Sequence, residues 1–251
     1  MSTIAIIFAG GKGTRLTHKD GPKQFVEVGG KPIIAWTLDL FQQSPAIDGI
    51  YVVSIESHLD TMKRIVTDGH FSKVRTVIPG GQYAMESIHL GLLAAAADGL
   101  AADTVVLIHD GVRPIISSSL IDSIVHSVEA HGSGVTSAAA FETLAASLDG
   151  GATIASVTNR SQMYTLQAPQ AFRLGPILDA HSSGIMRDIH DKVVDQAHLI
   201  DSLPAENLHP TLTPLALIEG VRGNIKITTM DDINYFEFLL QSGKYREIVK
   251  A

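Results

Sequence analysis

The feature that most constrains this chain is an apolar run, Ile4 to Phe8, that leads without a break into Ala9-Gly10-Gly11-Lys12-Gly13-Thr14-Arg15. A short apolar run of this kind reads as a buried strand. The three glycines after it let the backbone approach a ligand in conformations that other residues resist. Backbone N–H groups in such a turn form an anion-binding concavity. Arg15 and, in Pro22-Lys23-Gln24, Lys23 add two positive charges at the same place. Strand, glycine loop, arginine and lysine together point to a nucleoside triphosphate held by its phosphates; a plain turn is the alternative. The spacing fits neither a Walker loop, G-x-x-x-x-G-K-[ST], nor a dinucleotide fingerprint, because Leu16 stands where the last glycine of G-x-G-x-x-G belongs.

Beyond that loop, strand and helix patterns alternate. Strands are expected at Thr3–Phe8, Gly49–Ile55, Val74–Pro79 and Thr104–His109, with helices at Lys31–Gln43, His58–Asp68, Ala84–Asp98 and Ser118–His131. Val105-Val106-Leu107-Ile108 looks buried on both faces, as parallel strands are. The expected fold is therefore α/β, a Rossmann-like, doubly wound and mostly parallel sheet, with ligands at the carboxyl ends of its strands. The pattern breaks after Gly132. Val135–Ala140 reads as another strand, and Leu144–Leu148 and Thr153–Val157 read as a hairpin about Gly150-Gly151. An isolated hairpin with little apolar surface of its own is marginal, which points to packing on a second subunit. Helices are expected at Leu174–Ser182 and Val194–Asp201, a loop at Ser202–Pro214, strands at Leu215–Glu219 and Asn224–Thr228, and a last helix at Ile233–Ser242 with Thr229 as its N-cap. No linker divides residues 1–251, which read as one domain with a β-arm at about 141–163.

Composition narrows the function classes. A 251-residue chain with 45% hydrophobic and 18% charged residues has material for a sizeable core. A net charge of −7 argues against a nucleic-acid surface, so any anion site must come from local clustering of Lys and Arg. The absence of cysteine excludes disulfides, thiolate metal sites and cysteine nucleophiles. No apolar run is long enough for a membrane span or shaped as a signal peptide, so a cytoplasmic protein is expected.

Several constellations remain. In His109-Asp110-Gly111-Val112-Arg113-Pro114, a carboxylate at a strand end beside a phosphate loop is placed to hold Mg²⁺ together with triphosphate oxygens, and Arg113 to fork onto a phosphate. Gly80-Gly81 followed by Ser87 opens a helix, a site for a phosphate, sugar or base edge or simply a strand end. Arg160, in the polar stretch after the hairpin, can neutralise a phosphate. Lys226 lies in an apolar segment, with Ile225 and Ile227 facing the other way, and burying its ammonium without an anion would be costly. No G-x-S-x-G or H-E-x-x-H occurs. Cationic groups, glycine N–H groups and one carboxylate suit nucleotidyl transfer, and an acceptor that is itself a phosphate monoester needs no general base.

These motifs, with Gln167-Ala168-Pro169-Gln170 and Asn224-Ile225-Lys226-Ile227-Thr228-Thr229, resemble in the same order the cytidylyltransferases of polyol phosphates, over nearly the whole chain. The family's two close branches act on 2-C-methyl-D-erythritol 4-phosphate and on ribitol 5-phosphate. The resemblance implies that Ala9, Gly10, Gly11, Gly13, Thr14 and Arg15 bind the CTP triphosphate. It places Gly80, Gly81 and Ser87 around cytosine and ribose, and Asp110, with Gly111 beside it, at Mg²⁺ and nucleotide. Arg15, Lys23 and Lys226 are the implied catalytic cations. Arg113, Thr143, Arg160, Tyr164 and Gln167 are implied to serve the acceptor, with Thr143 and Arg160 reaching a neighbouring subunit's site from the arm of a homodimer. The chain departs from the family pattern at Ala84, Ala168 and Val194-Asp195-Gln196-Ala197-His198. Met163-Tyr164 with Gln167 resembles the ribitol branch more closely. A UTP-type sugar-1-phosphate nucleotidyltransferase and a non-catalytic nucleotide-binding protein are the competing expectations.

Overall fold

The computed structural model describes residues 2–10, 21–221 and 223–251, with the backbone alone at 185 and 186. Its strands are β1 (Thr3–Ala9), β2 (Glu27–Val28), β3 (Lys31–Pro32), β4 (Gly49–Ser54), β5 (Val74–Pro79), β6 (Val105–Asp110), β7 (Ser133–Ala139), β8 (Ala145–Ala146), β9 (Ser156–Val157), β10 (Tyr164–Arg173) and β11 (Leu217–Glu219). Its helices are α1 (Ile33–Gln43), α2 (Leu59–Asp68), α3 (Ala84–Ala97), α4 (Ser118–His131), α5 (Leu174–Met186), α6 (Gln196–Ser202), α7 (Met230–Gln241) and α8 (Lys244–Lys250). The main sheet runs β11-β7-β10-β6-β1-β4-β5. Every neighbouring pair is parallel except those made by β10, which lies antiparallel between β6 and β7.

Alternation along each strand separates two cores. Ala5, Ile7, Val105 and Leu107 face α1 and α4, whereas Ile4, Ile6, Val106 and Ile108 face α3 and α5. This is the physical content of a doubly wound sheet: continuous apolar strands whose two faces are both covered. The register aligns the carboxyl ends of four strands, with Phe8 opposite Asp110, Ala9 opposite Ser54, and Ser54 opposite Pro79. Ligands of such sheets bind along that edge. A third apolar cluster joins Val26, Ile33, Val112, Ile115 and Ile227 to Ile233 and Phe236 of α7 and Tyr245 of α8. Trp36 makes edge contacts with the rings of Phe236 and Tyr245.

Local chemistry sets the ends of these elements. The Ser117 side chain accepts from Leu120 N–H and caps α4, which ends at Gly132 with φ 81°. Thr229 and Asp232 form a reciprocal capping box at the start of α7, as the Thr-x-x-acid pattern predicts.

One expected strand is absent and two elements are present that were not expected. The polar stretch after the hairpin, where no strand was expected, becomes β10 from Tyr164, with a register shift between Leu166 and Gln170 that accommodates Ala168-Pro169. Asn224–Thr228 forms no strand. Ile227 N–H still donates to Val112 O at 2.9 Å and its side chain is fully buried, so apolar packing is satisfied without a strand ladder. A short helix, α8, follows α7 beyond Gly243, whose φ of 76° turns the chain. The hairpin is present as β8 and β9, but each has only two residues.

Candidate active site

The site is built on the aligned strand ends. Asp110 ends β6 and is 6% exposed. Arg113 Nε donates to its Oδ2 at 2.8 Å, and Lys226 Nζ meets its Oδ1 at 2.5 Å. Burial works to raise the Asp110 carboxyl, but the Lys226 and Arg113 cations outweigh it and hold the group well below the usual carboxylate range. One carboxylate and two cations leave a local excess of positive charge on a chain that is acidic overall. Lys226 also lies 5.8 Å from the centre of the Phe8 ring at the end of β1.

The turn carrying Arg113 is fixed from inside. His109 is fully buried, its Nε2–H donates to Arg113 O at 3.0 Å, and burial pushes its pKa down to about 4. Gly111 N–H donates to Phe8 O at 2.9 Å, and Thr37 Oγ1 donates to Gly111 O at 3.0 Å. A Cβ at Gly111 would meet Ile34 Cδ1 at 2.6 Å and Ala9 Cβ at 3.1 Å, so glycine serves close approach here rather than unusual dihedral angles.

A second group of predicted residues assembles beside it. Gly10 and Gly80 both abut Ser87: a Cβ on either would meet Ser87 Oγ, at 2.9 and 2.7 Å. Gly81 N–H donates to Ser87 Oγ at 3.1 Å, and that hydroxyl donates to Tyr83 O. Gly10, the two glycines after β5 and helix α3 therefore converge on one side chain. Lys23 opens a single turn, Lys23–Phe25, that is tied to the end of β1 by Gln24 Nε2, a donor to Ala9 O at 2.7 Å. Gly11, Gly13, Thr14 and Arg15 lie outside the described residues.

Asp110, Arg113 and Lys226 open onto a cavity of about 200 Å³. Phe8 and Ile88 line it with them, together with Leu166, Gln167, Ala168, Gln170 and Val194–Gln196. Of the three departures from the family pattern, Ala168 and the first three residues of 194–198 are thus wall residues, while Ala84 is an exposed first residue of α3. Asp195 caps α6 by accepting from His198 N–H, and Gln170 Oε1 accepts from Ala197 N–H at 3.0 Å, which fastens this wall to β10.

Of the residues assigned to the acceptor, Arg113 and Gln167 reach this cavity. Thr143, Arg160 and Tyr164 are exposed and belong to the arm or its base, away from the cavity lining of the same protomer. Arg160 Nη1 donates to Phe141 O at 3.1 Å, and Tyr164 opens β10 opposite Ala139. Residues for which the sequence suggested no role are also drawn in. Gln24, Gln170 and Asn224 all hold backbone by buried amide hydrogen bonds. Their only signal was polarity inside motifs that were otherwise apolar or cationic.

Residues 3–242 match the family model described as IspD, 2-C-methyl-D-erythritol 4-phosphate cytidylyltransferase. The chain is 41% identical over 249 residues to the ribitol-5-phosphate cytidylyltransferase of Streptococcus agalactiae serotype V, with 99% of each covered. It is 36% identical over 234 residues to the 2-C-methyl-D-erythritol 4-phosphate cytidylyltransferase of Syntrophotalea carbinolica, covering 93% of this chain and 94% of that one. Among solved structures it is similar to 4-diphosphocytidyl-2C-methyl-D-erythritol synthase from Anaerococcus prevotii, with a TM-score of 0.77, 27% identity and 96% of both chains covered.

Proposed function

Because this chain belongs to the IspD family of cytidylyltransferases, we propose that it transfers CMP from CTP to D-ribitol 5-phosphate, giving CDP-ribitol and pyrophosphate. The observation that carries transfer to a phosphate is the Asp110–Arg113–Lys226 cluster beside the Gly10–Gly80–Ser87 contact. Cations and glycine backbone meet there at the strand ends. The choice of acceptor is supported by the full-length similarity to the streptococcal ribitol-5-phosphate enzyme and by Tyr164 and Gln167. The second reading, 2-C-methyl-D-erythritol 4-phosphate as acceptor, is favoured by the family model and the Syntrophotalea relative.

By this reading the acceptor phosphate, whose second pKa is near ~6, is already largely dianionic at neutral pH. One of its oxygens attacks the α-phosphorus in line. The new O–P bond forms as the bond to the bridging oxygen of the β-phosphate breaks, and pyrophosphate leaves with that electron pair. Arg15 and Lys23 stabilise charge building at the α-phosphoryl group, Lys226 bridges it to the acceptor, and Arg113 holds the acceptor phosphate. Catalysis is then positioning and charge neutralisation.

Asp110 is a buried, ionised, hard oxygen donor. Among the described residues no three His, Asp or Glu side chains converge as a metal site. That donor set fits a Mg²⁺ ion held mainly by triphosphate oxygens, with Asp110 as its protein ligand. Bound there, the ion would neutralise phosphate charge.

The active unit is a homodimer joined through the arm, so that Thr143 and Arg160 complete the partner's acceptor site. That neither lines the cavity of its own protomer, and that the arm exposes apolar residues, supports this.

A coupled pyrophosphate assay with CTP and Mg²⁺, comparing the two acceptors, tests the reading. Faster release with ribitol 5-phosphate is expected. Faster release with methylerythritol phosphate would reassign the acceptor, and turnover with UTP in place of CTP would reassign the nucleotide.

A further inference from the structure

Asn224 is 1% exposed and stands where three segments meet. Its Nδ2 donates to Ala168 O at 2.7 Å and lies 3.4 Å from Gln167 Oε1. Its main-chain oxygen accepts from Arg113 Nη1 at 2.8 Å, and its N–H donates to Val221 O at 3.0 Å. Two residues on, Lys226 reaches Asp110. Gln167 Nε2 reinforces the junction by donating to Val221 O at 3.1 Å.

The segment that carries Lys226 has neither helical bonds nor a strand ladder to set its position. The Asn224 amide is its buried peg on β10. Asn224 Oδ1 is also buried, with no hydrogen-bond partner among the described residues. An amide with an unpaired buried oxygen is a costly choice for stability alone, since an apolar side chain of the same size avoids that penalty. Arg113 and Lys226, the two cations on Asp110, are thus both tied to Asn224, Arg113 through the main-chain oxygen and Lys226 through the segment that the amide pegs, while the Asn224 side chain touches neither charged group.

We propose that Asn224 is a positioning residue for the transfer reaction. Its amide locks the Lys226 segment to the Gln167–Ala168 bulge, and its carbonyl sets the Arg113 fork, so that both cations are held ready for the acceptor phosphate. This role rests on the cytidylyl-transfer reading of the site.

Asn224→Ala and Asn224→Asp in the full chain test it. An ionised Asp cannot donate to Ala168 O and adds a negative charge beside Arg113; a protonated Asp can donate. Since a shift of about 1 Å at reacting groups costs on the order of 10²-fold, Asn224→Ala is expected to lower kcat/KM for the acceptor by about that factor. CTP affinity by calorimetry should stay within about threefold, because the glycine and Ser87 contacts are untouched. Asn224→Asp should be weaker still above neutrality and recover relative to the unmodified protein as the pH falls, a profile that mere loosening of the fold does not produce. Acceptor kcat/KM within about threefold of the unmodified protein for Asn224→Ala, or an Asn224→Asp profile parallel to the unmodified one, overturns the role. Absence of turnover by the unmodified protein with CTP and either acceptor overturns the underlying reading, and this role with it.

Discussion

Lys226 Nζ lies 2.5 Å from Asp110 Oδ1, although Asp110 ends the buried strand β6 and Lys226 belongs to an irregular segment beyond β11. The pair is unequal: the Asp110 side chain is 8% exposed and that of Lys226 is 39% exposed. A partly solvated lysine adds little to folding, on the order of 1 kcal/mol or less. Its value lies in holding charge where phosphates meet. Lys226→Ala is therefore expected to leave the melting temperature nearly unchanged while lowering kcat/KM by about 10² to 10³. Steady-state kinetics beside calorimetric unfolding decide this; a large loss of stability with activity retained would assign Lys226 to the fold instead.

Asp110→Asn should do both kinds of damage. It leaves Arg113 and Lys226 without their counter-charge, and because both cations are partly solvated the loss is discounted from the buried-pair range to about 1–3 kcal/mol. It also removes the charged carboxylate that ends β6. Urea unfolding should show the destabilisation, and titration of Mn²⁺ in the presence of CTP should show weaker binding than in the unmodified protein. Unchanged Mn²⁺ affinity would remove Asp110 from the metal site.

Gly80→Ala separates close approach from backbone freedom. Gly80 has no unusual φ, yet an added Cβ would lie 2.7 Å from Ser87 Oγ and 3.4 Å from Ser54 O. The Ser87 hydroxyl must then leave its bonds with Gly81 N–H and Tyr83 O. The expected result is weaker CTP binding, by about tenfold for the 1–1.5 kcal/mol of a displaced hydrogen bond, with modest loss of stability. Isothermal titration with CTP checks it, and unchanged affinity would place the nucleotide elsewhere.

The sheet was legible because its strands are continuous apolar runs between amphipathic helices, so that β5 and α4 have the bounds their patterns imply. Tyr164–Arg173 was not, because its strand is bulged, contains a proline and carries three glutamine and threonine side chains, all of which disguise a period of two. Asn224–Thr228 failed in the opposite sense: its apolar alternation is real, but it is satisfied by packing on Val112 and α7 rather than by a ladder. Motif residues announced Asp110, Arg113 and Lys226 as charges. Their meeting on one carboxylate, and the amides that hold them, depend on long-range chain paths that no local pattern encodes.

Three histidines away from the cavity set an acid limit. The rings of His89 of α3, His181 of α5 and His190 lie with centroids 5.6–6.2 Å apart, and His181 is fully buried without a well-formed hydrogen bond. Burial, then the neighbouring His190 and His89 rings, hold His181 well below its ordinary pKa. His109, pushed down to about 4 by burial, behaves alike. The folded protein keeps these rings neutral while the unfolded chain takes up protons near pH ~6.5, so stability falls as the pH drops from about 6.5 toward 4. His109 alone accounts for about 3 kcal/mol over that range. Replacing His181 with Leu is expected to flatten this slope and raise stability at pH ~5 by about 1–3 kcal/mol. Urea unfolding of both proteins across the range measures it, and parallel curves would show that His181 does not titrate with folding.

The arm carries the last prediction. Leu148 is 92% exposed, Ile154 70% and Val157 60%, on a hairpin whose paired strands have two residues each. Such a hairpin is marginal alone, and three large apolar side chains in water are unfavourable unless something covers them. If the cover is the same arm of a second copy, Leu148→Asp with Ile154→Asp should convert a dimer to a monomer in sedimentation equilibrium. Because neither residue contacts the sheet core, the thermal transition of the body should persist. Turnover should collapse with the dimer, since Thr143 and Arg160 would no longer reach a neighbouring acceptor site, whereas CTP binding within each protomer should remain. An unmodified protein that is monomeric at micromolar concentration and fully active would show that each protomer completes its own site.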